Sequence, residues 1–150
     1  MSSKLEIVNA YLRLLEDMAN NAEDAWTYLA DDFQNIDRDG NVVLNRESFI
    51  GTSRMLLASF PDISFVKTGI REEDDYVVVS GHNEGTHMND IDLSAMGVGI
   101  VSASGKKIVW PEASFKITVT DDKISTWGPY GDYGGAAAWL SALRVDQPSK

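Results

Sequence analysis

Hydrophobic positions along this chain keep a helical period at first and an alternating one afterwards. In "KLEIVNAYLRLLEDMA", Leu5, Val8, Leu12, Leu15 and Ala19 fall on one stripe, with Ile7, Tyr11, Leu14 and Met18 on the stripe beside it. Ser3 followed by Glu6 forms a capping box, so the spacing predicts a helix from about Lys4 to Asn20-Asn21. A second helical stretch, "EDAWTYLADDF", places Trp26, Leu29, Ala30 and Phe33 on one side. "DRDGN" is a turn, and its flanks "QNI" and "VVL" read as a small hairpin or edge ribbon. A third helix starts behind Asn45 as N-cap, with Leu44 and Phe49 at staple positions. It ends before Pro61, because proline disfavours the helical conformation in the residue preceding it.

From Asp62 the period is two. "ISFVKTGI" and "YVVVSGHNEGTH" are strands joined by the charged turn "REEDD". After an irregular stretch, 88–105, come "KKIVWPEASFKITV" and "KISTWGPY", joined by "TDD". The tail "GGAAAWLSALRV" has the composition of a short final helix. Helices first and a meander of strands afterwards give an α+β domain, a curved antiparallel sheet with three N-terminal helices on one face.

Composition narrows the functional classes. With 150 residues the chain fits one domain, 1–150, and it has no cysteine for a disulfide, thiol nucleophile or thiolate metal site. A net charge of −10 opposes binding to nucleic acid or an anionic membrane. No apolar run reaches the length of a membrane span and no secretory signal is visible, so a cytoplasmic location is expected.

Strand parity sorts the candidate chemistry. Val77, Val79, Gly81, Asn83, Gly85 and His87 share one face of the second strand; Tyr76, Val78, Ser80, His82, Glu84 and Thr86 share the other. Gly81 and Gly85 either leave room beside Asn83, as a cavity would require, or mark bends in the sheet. His87 titrates near neutrality when unperturbed and suits proton shuttling, whereas His82 falls on the opposite face as a surface histidine. Glu112, between Trp110-Pro111 and Ala113, sits among apolar neighbours that would raise its pKa. It shares parity with Lys116 and Thr118, so it enters a pocket only if Pro111 introduces a bulge. Tyr11, Asn35, Trp110, Trp127 and Tyr130 supply aromatic walls or hydrogen-bonding groups near a pocket mouth. Asp90 and Asp92 with His87 lack clean metal-ligand spacing, so no metal is expected.

Several strings carry a resemblance. "YLADDFQNIDRDGNVVLNRESFI", "FPDISF", "DDYVVVSGHNEGTH" and "ASFKITVTDDKISTW", in this order, resemble the SnoaL-like polyketide cyclase group of the nuclear-transport-factor-2-like superfamily. The resemblance implies a bent sheet wrapping three helices into a cone, an apolar pocket at its open end, and a homodimer through the sheet. It puts the Asn83 and His87 face on the pocket side. It further implies cofactor-independent acid–base chemistry, of the aldol cyclase or isomerase type, on a small or polycyclic carbonyl compound. His87 or Glu112 would then be the general acid/base, with Asn35, Asn83 and Tyr11 at the substrate oxygen. Members of that group usually carry an Asp or His on the last strands. Here the matching position is Phe115, and the final strand offers Ser125, Thr126 and Trp127. That departure supports an alternative, a non-catalytic ligand-binding or dimerising module of the same fold. Water-adding chemistry would need a cluster such as Asp37 with Asn35.

Overall fold

The computed structural model describes residues 3–37, 39–94 and 99–131. Helix α1 (Lys4–Leu15) has the expected capping box: Ser3 Oγ accepts from the Glu6 N–H and Glu6 returns a bond to Ser3 N. It stops earlier than its apolar stripe suggests, at Glu16-Asp17, and α2 (Met18–Trp26) continues the stripe in a new direction. The sequence "YLADDF" is not helical as expected, because β1 (Leu29–Ile36) begins three residues after Trp26. Two cations close the end of α2: Arg46 Nη2 donates to Trp26 O at 3.0 Å and Lys123 Nζ to Thr27 O at 2.6 Å. Both satisfy carbonyls that a helix end leaves without intrahelical partners. Strand β2 (Val42–Asn45) pairs with β1, as the ribbon predicts, and α3 (Arg46–Ser59) starts on a capping box between Asn45 and Ser48.

The remaining strands are β3 (Ser64–Glu72), β4 (Val77–Thr86), β5 (Ile91–Asp92), β6 (Ile100–Val101), β7 (Lys107–Val109), β8 (Ala113–Thr120) and β9 (Lys123–Pro129). The main sheet runs β2-β1-β9-β8-β4-β3, with β7 also on β4. It is mixed rather than wholly antiparallel: β1 lies parallel to β9, the strand farthest from it in sequence. β5 and β6 form a separate two-stranded ribbon inside the stretch expected to be irregular. Its stem is strapped to the end of α3. Met88 and Asn89 donate to Ser59 O, Asn89 Nδ2 to Ala58 O, and Ser59 Oγ to Asp90 O.

Helix α1 packs across β3, β4, β8 and β9, so this face of the sheet is concave and holds the core. Val8, Leu12, Phe33, Phe60, Val77, Val79, Ile117 and Ile124 are all within 1 % of complete burial. Each such side chain removes enough apolar surface from water to contribute about 1.5–3 kcal/mol. Register shifts at Lys67/Gly69, Thr118/Val119 and Asn35/Ile36 bend the strands around the helices. The predicted C-terminal helix lies outside the described residues.

Candidate functional site

Two groups of rings occupy the concave face. The first joins α1, the turn before β1, and strands β3, β8 and β9. Tyr11 lies 6.5 Å from Tyr28 and 6.1 Å from Trp127, and Trp127 lies 5.0 Å from Phe115 and 6.4 Å from Phe65. Tyr28, Phe115 and Trp127 are only half-buried, although Phe115 and Trp127 share the face of buried Ile117, Val77 and Val79. Tyr11 is 2 % exposed, and burial pushes its phenol well above the ordinary tyrosine range. The hydroxyl therefore stays protonated and can only donate or accept a hydrogen bond, not act as a base.

The second group closes the other end of β4. Phe60 stacks on His87 with centroids 4.7 Å apart and meets Trp110 edge-on at 5.0 Å. His87 has no solvent exposure and Trp110 has 3 %. The backbone of His87 is paired with residues 105 and 106, and next to it Asp62 accepts from the Thr86 N–H at 2.6 Å and its hydroxyl at 2.8 Å. Burial works to raise the Asp62 carboxyl, but these bonds from Thr86 hold it below the usual range.

Asn83 stands between the groups. Its backbone carbonyl accepts from the backbone N–H of Trp110 at 2.9 Å, and across the ladder it faces Phe65. Its half-buried amide makes no side-chain hydrogen bond among the described residues. The flanking glycines do not provide empty space. A Cβ at Gly81 would come within 2.7 Å of the Phe65 ring and 2.3 Å of the Val66 carbonyl, and one at Gly85 within 3.1 Å of Phe60. Glycine is required at Gly81, where backbone and ring already occupy the side-chain volume, while a methyl at Gly85 needs Phe60 and Ile63 to give by a few tenths of an ångström.

The structure thus brings Tyr11, Asn35 and Trp127 together and, separately, His87 with Trp110. Asn35 Nδ2 donates to the Trp127 carbonyl at 3.0 Å, so its amide cross-links β1 to β9. Glu112 departs from expectation. Two residues of β4, 82 and 83, stand opposite three of its partner, 110–112, so a bulge does occur at Pro111. The extra residue lets both Trp110 and Phe115 face inward, but it leaves Glu112 exposed and apart from His87. Tyr130 is also displaced, since it lies on the convex face beneath Arg71, whose Nη2 donates to its hydroxyl at 3.0 Å, and beside Tyr76. His82 is on that face as well, 2.9 Å from Glu84, which also takes Lys107 at 3.0 Å. Asp37 closes its own turn by accepting from the Asn41 and Asp39 N–H groups, bonds that hold its carboxyl low, whereas the Asn35 amide is engaged with the Trp127 carbonyl. Among the described residues no three His, Cys, Asp or Glu side chains gather in a metal-binding arrangement, and no helix is long and apolar enough to cross a membrane.

Phe65 and Tyr28 were not singled out from sequence. Parity offers a signal for Phe65, which pairs with Asn83 and so must share its face. A further groove of about 340 Å³ lies between α2 and α3, lined by Ala22, Glu23, Trp26, Arg54 and Leu57 among others, outside both ring groups.

Solved structures with this architecture cover nearly the whole chain. A protein from Jannaschia sp. CCS1, described as a putative SnoaL-like polyketide cyclase, superposes with a TM-score of 0.69 at 21% identity, covering 99% of each chain. IdmH of Streptomyces antibioticus, a putative polyketide cyclase, gives 0.66 at 17% identity over 95% of this chain and 99% of its own. A Catenulispora acidiphila protein of ketosteroid isomerase-like fold gives 0.62 at 15% identity over 94% of each. At these identities the likeness establishes the fold alone. No curated protein sequence matches the chain. The SnoaL-like domain model matches residues 8–127, and with it the chain belongs to the SnoaL-like group of the nuclear-transport-factor-2-like superfamily.

Proposed function

We propose that the concave face binds a small, largely apolar carbonyl compound and holds its oxygen by hydrogen bonds, with no cofactor. The observation that carries this reading is the half-open aromatic group: Tyr28, Phe115 and Trp127 face the helices yet remain partly exposed, around a phenol that stays protonated. Flat apolar walls with one or two polar groups are the usual make-up of a small-molecule pocket. Tyr11 and Asn83 are the groups assigned to the ligand oxygen; Asn35 acts behind Trp127.

Hydrogen-bond donation of this kind favours the enolate form of a carbonyl compound. Full acid–base turnover also needs a base, and among the described residues neither ring group offers one in reach. His87 is sealed behind Phe60 and Trp110, and Glu112 faces solvent. A carbonyl-binding module therefore fits the geometry better than a His87/Glu112 cyclase or isomerase. The expected homodimer through the sheet is retained as a proposal, with the convex face of Tyr76, Lys116 and Tyr130 as its surface.

The test is binding of a neutral aromatic ketone, 1-tetralone, by calorimetry. Tyr11→Phe and Trp127→Ala are expected to weaken it at least tenfold, with His87→Gln and Glu112→Gln within twofold of the parent. Loss of binding in the last two with no change in the first two overturns the reading.

A further inference from the structure

The groove of about 340 Å³ between α2 and α3 lies apart from both ring groups. Its volume is at the lower end of the roughly 300–1,000 Å³ usual for small-molecule sites. Ala19, Ala22 and Trp26 of α2, one stripe at helical spacing, give it an apolar lining together with Leu57 of α3. Two side chains of opposite charge line it as well. Arg54 holds its guanidinium 4.8 Å from the centre of the Trp26 ring, and its Nη2 reaches Glu23 Oε2 at 3.4 Å. Charge-assisted bonds of this kind are usually about 2.7–2.9 Å. The pair is long, and its side chains are 60 % and 79 % exposed, so water screens it and separating it costs little. Neither charged group has another hydrogen-bonding partner among the described residues.

We propose that this groove binds a free aliphatic α-amino acid, with its carboxylate on Arg54, its ammonium on Glu23 and its side chain against Ala19, Ala22, Trp26 and Leu57. Charge selects the zwitterion. A ligand with a carboxylate alone would lie beside Glu23 and meet the chain's net charge of −10, and one with an ammonium alone would lie beside Arg54. An amino acid carries no net charge, exchanges one loose ion pair for two, and takes its apolar side chain out of water.

The experiment follows the Trp26 indole N–H signal of the full chain by nuclear magnetic resonance at neutral pH. L-leucine is added, or 4-methylpentanoate, which lacks its ammonium, or 3-methylbutylamine, which lacks its carboxylate. Leucine is expected to give a saturable shift at Trp26 and none at Trp127, and each analogue to bind at least tenfold more weakly. Arg54→Gln and Glu23→Gln change exposed side chains, so both variants should fold, and each is expected to weaken leucine at least tenfold. The absence of a saturable shift with leucine, analogues that bind as well as leucine, or leucine affinity unchanged in either variant overturns the proposal.

Discussion

The two ring groups on the concave face are built from similar residues and differ in what covers them. Around His87 every ring is shut off from solvent, and Asp62 and Ser59 tie the neighbouring backbone down on both sides. Around Trp127 the walls remain half-exposed, and the polar groups tied to it are a protonated phenol and the Asn35 amide. In this chain His87 is held as part of the closed group, stacked on Phe60. Burial separates the two groups: His87, Phe60 and Trp110 are all closed to solvent, whereas Tyr28, Phe115 and Trp127 each keep part of their ring in water beside the buried Tyr11.

Substitutions on the two sides should separate stability from binding. Trp110→Ala, in the closed group, is expected to cost about 3–5 kcal/mol in chemical denaturation. Trp127→Ala should cost about 1–2 kcal/mol, because its ring is already partly in water, yet it should weaken tetralone binding at least tenfold. Equal stability losses would erase the distinction. His87→Gln replaces a stacked ring with an amide in a sealed site and should cost about 1–3 kcal/mol with ligand affinity kept.

Asp62 tests the closed side by pH. Its carboxyl titrates lower folded than unfolded, so its contribution is complete above the unfolded value of about 3.9 and is lost as pH falls through the lower, folded value. Asp62→Asn should therefore be less stable than the parent at neutral pH, and the difference should shrink below about pH 4. Stability curves that stay parallel into acid would assign the Thr86 bonds no ionic character.

Much of the fold was legible because its signals are local. Ser3 with Glu6 and Asn45 before its helix fix helix starts within a few residues, and alternation in "YVVVSGHNEGTH" sets the faces of β4. What sequence left open depends on partners far along the chain. The parallel pairing of β1 with β9 has no local signal, and the helical look of "YLADDF" yields to that pairing. The bulge at Pro111 was foreseeable, but which residue gains by it was not: the register with Gly81 and Glu84 turns Trp110 inward and Glu112 out. For Gly81, an absent side chain was open to a reading as space, when the Phe65 ring fills it. Tyr130, expected beside Trp127 at a pocket mouth, lies three positions beyond it, and alternation along the strand turns it to the opposite face.

The smallest expected effect lies outside both groups. Asp121 and Asp122, in the turn between β8 and β9, have φ of 52° and 64°, a region that favours glycine. Asp122→Gly should raise stability by about 0.5–1 kcal/mol without altering ligand affinity. A change in affinity would mean that this hairpin moves the Trp127 wall.

The most direct measurement follows the tryptophan indole N–H signals by nuclear magnetic resonance while 1-tetralone is added. Trp127 should shift progressively with ligand, while Trp110, packed beside Phe60 and His87, should stay in place. A shift at Trp110 with Trp127 unmoved would put the ligand at His87 and contradict the division between an open binding group and a closed structural one.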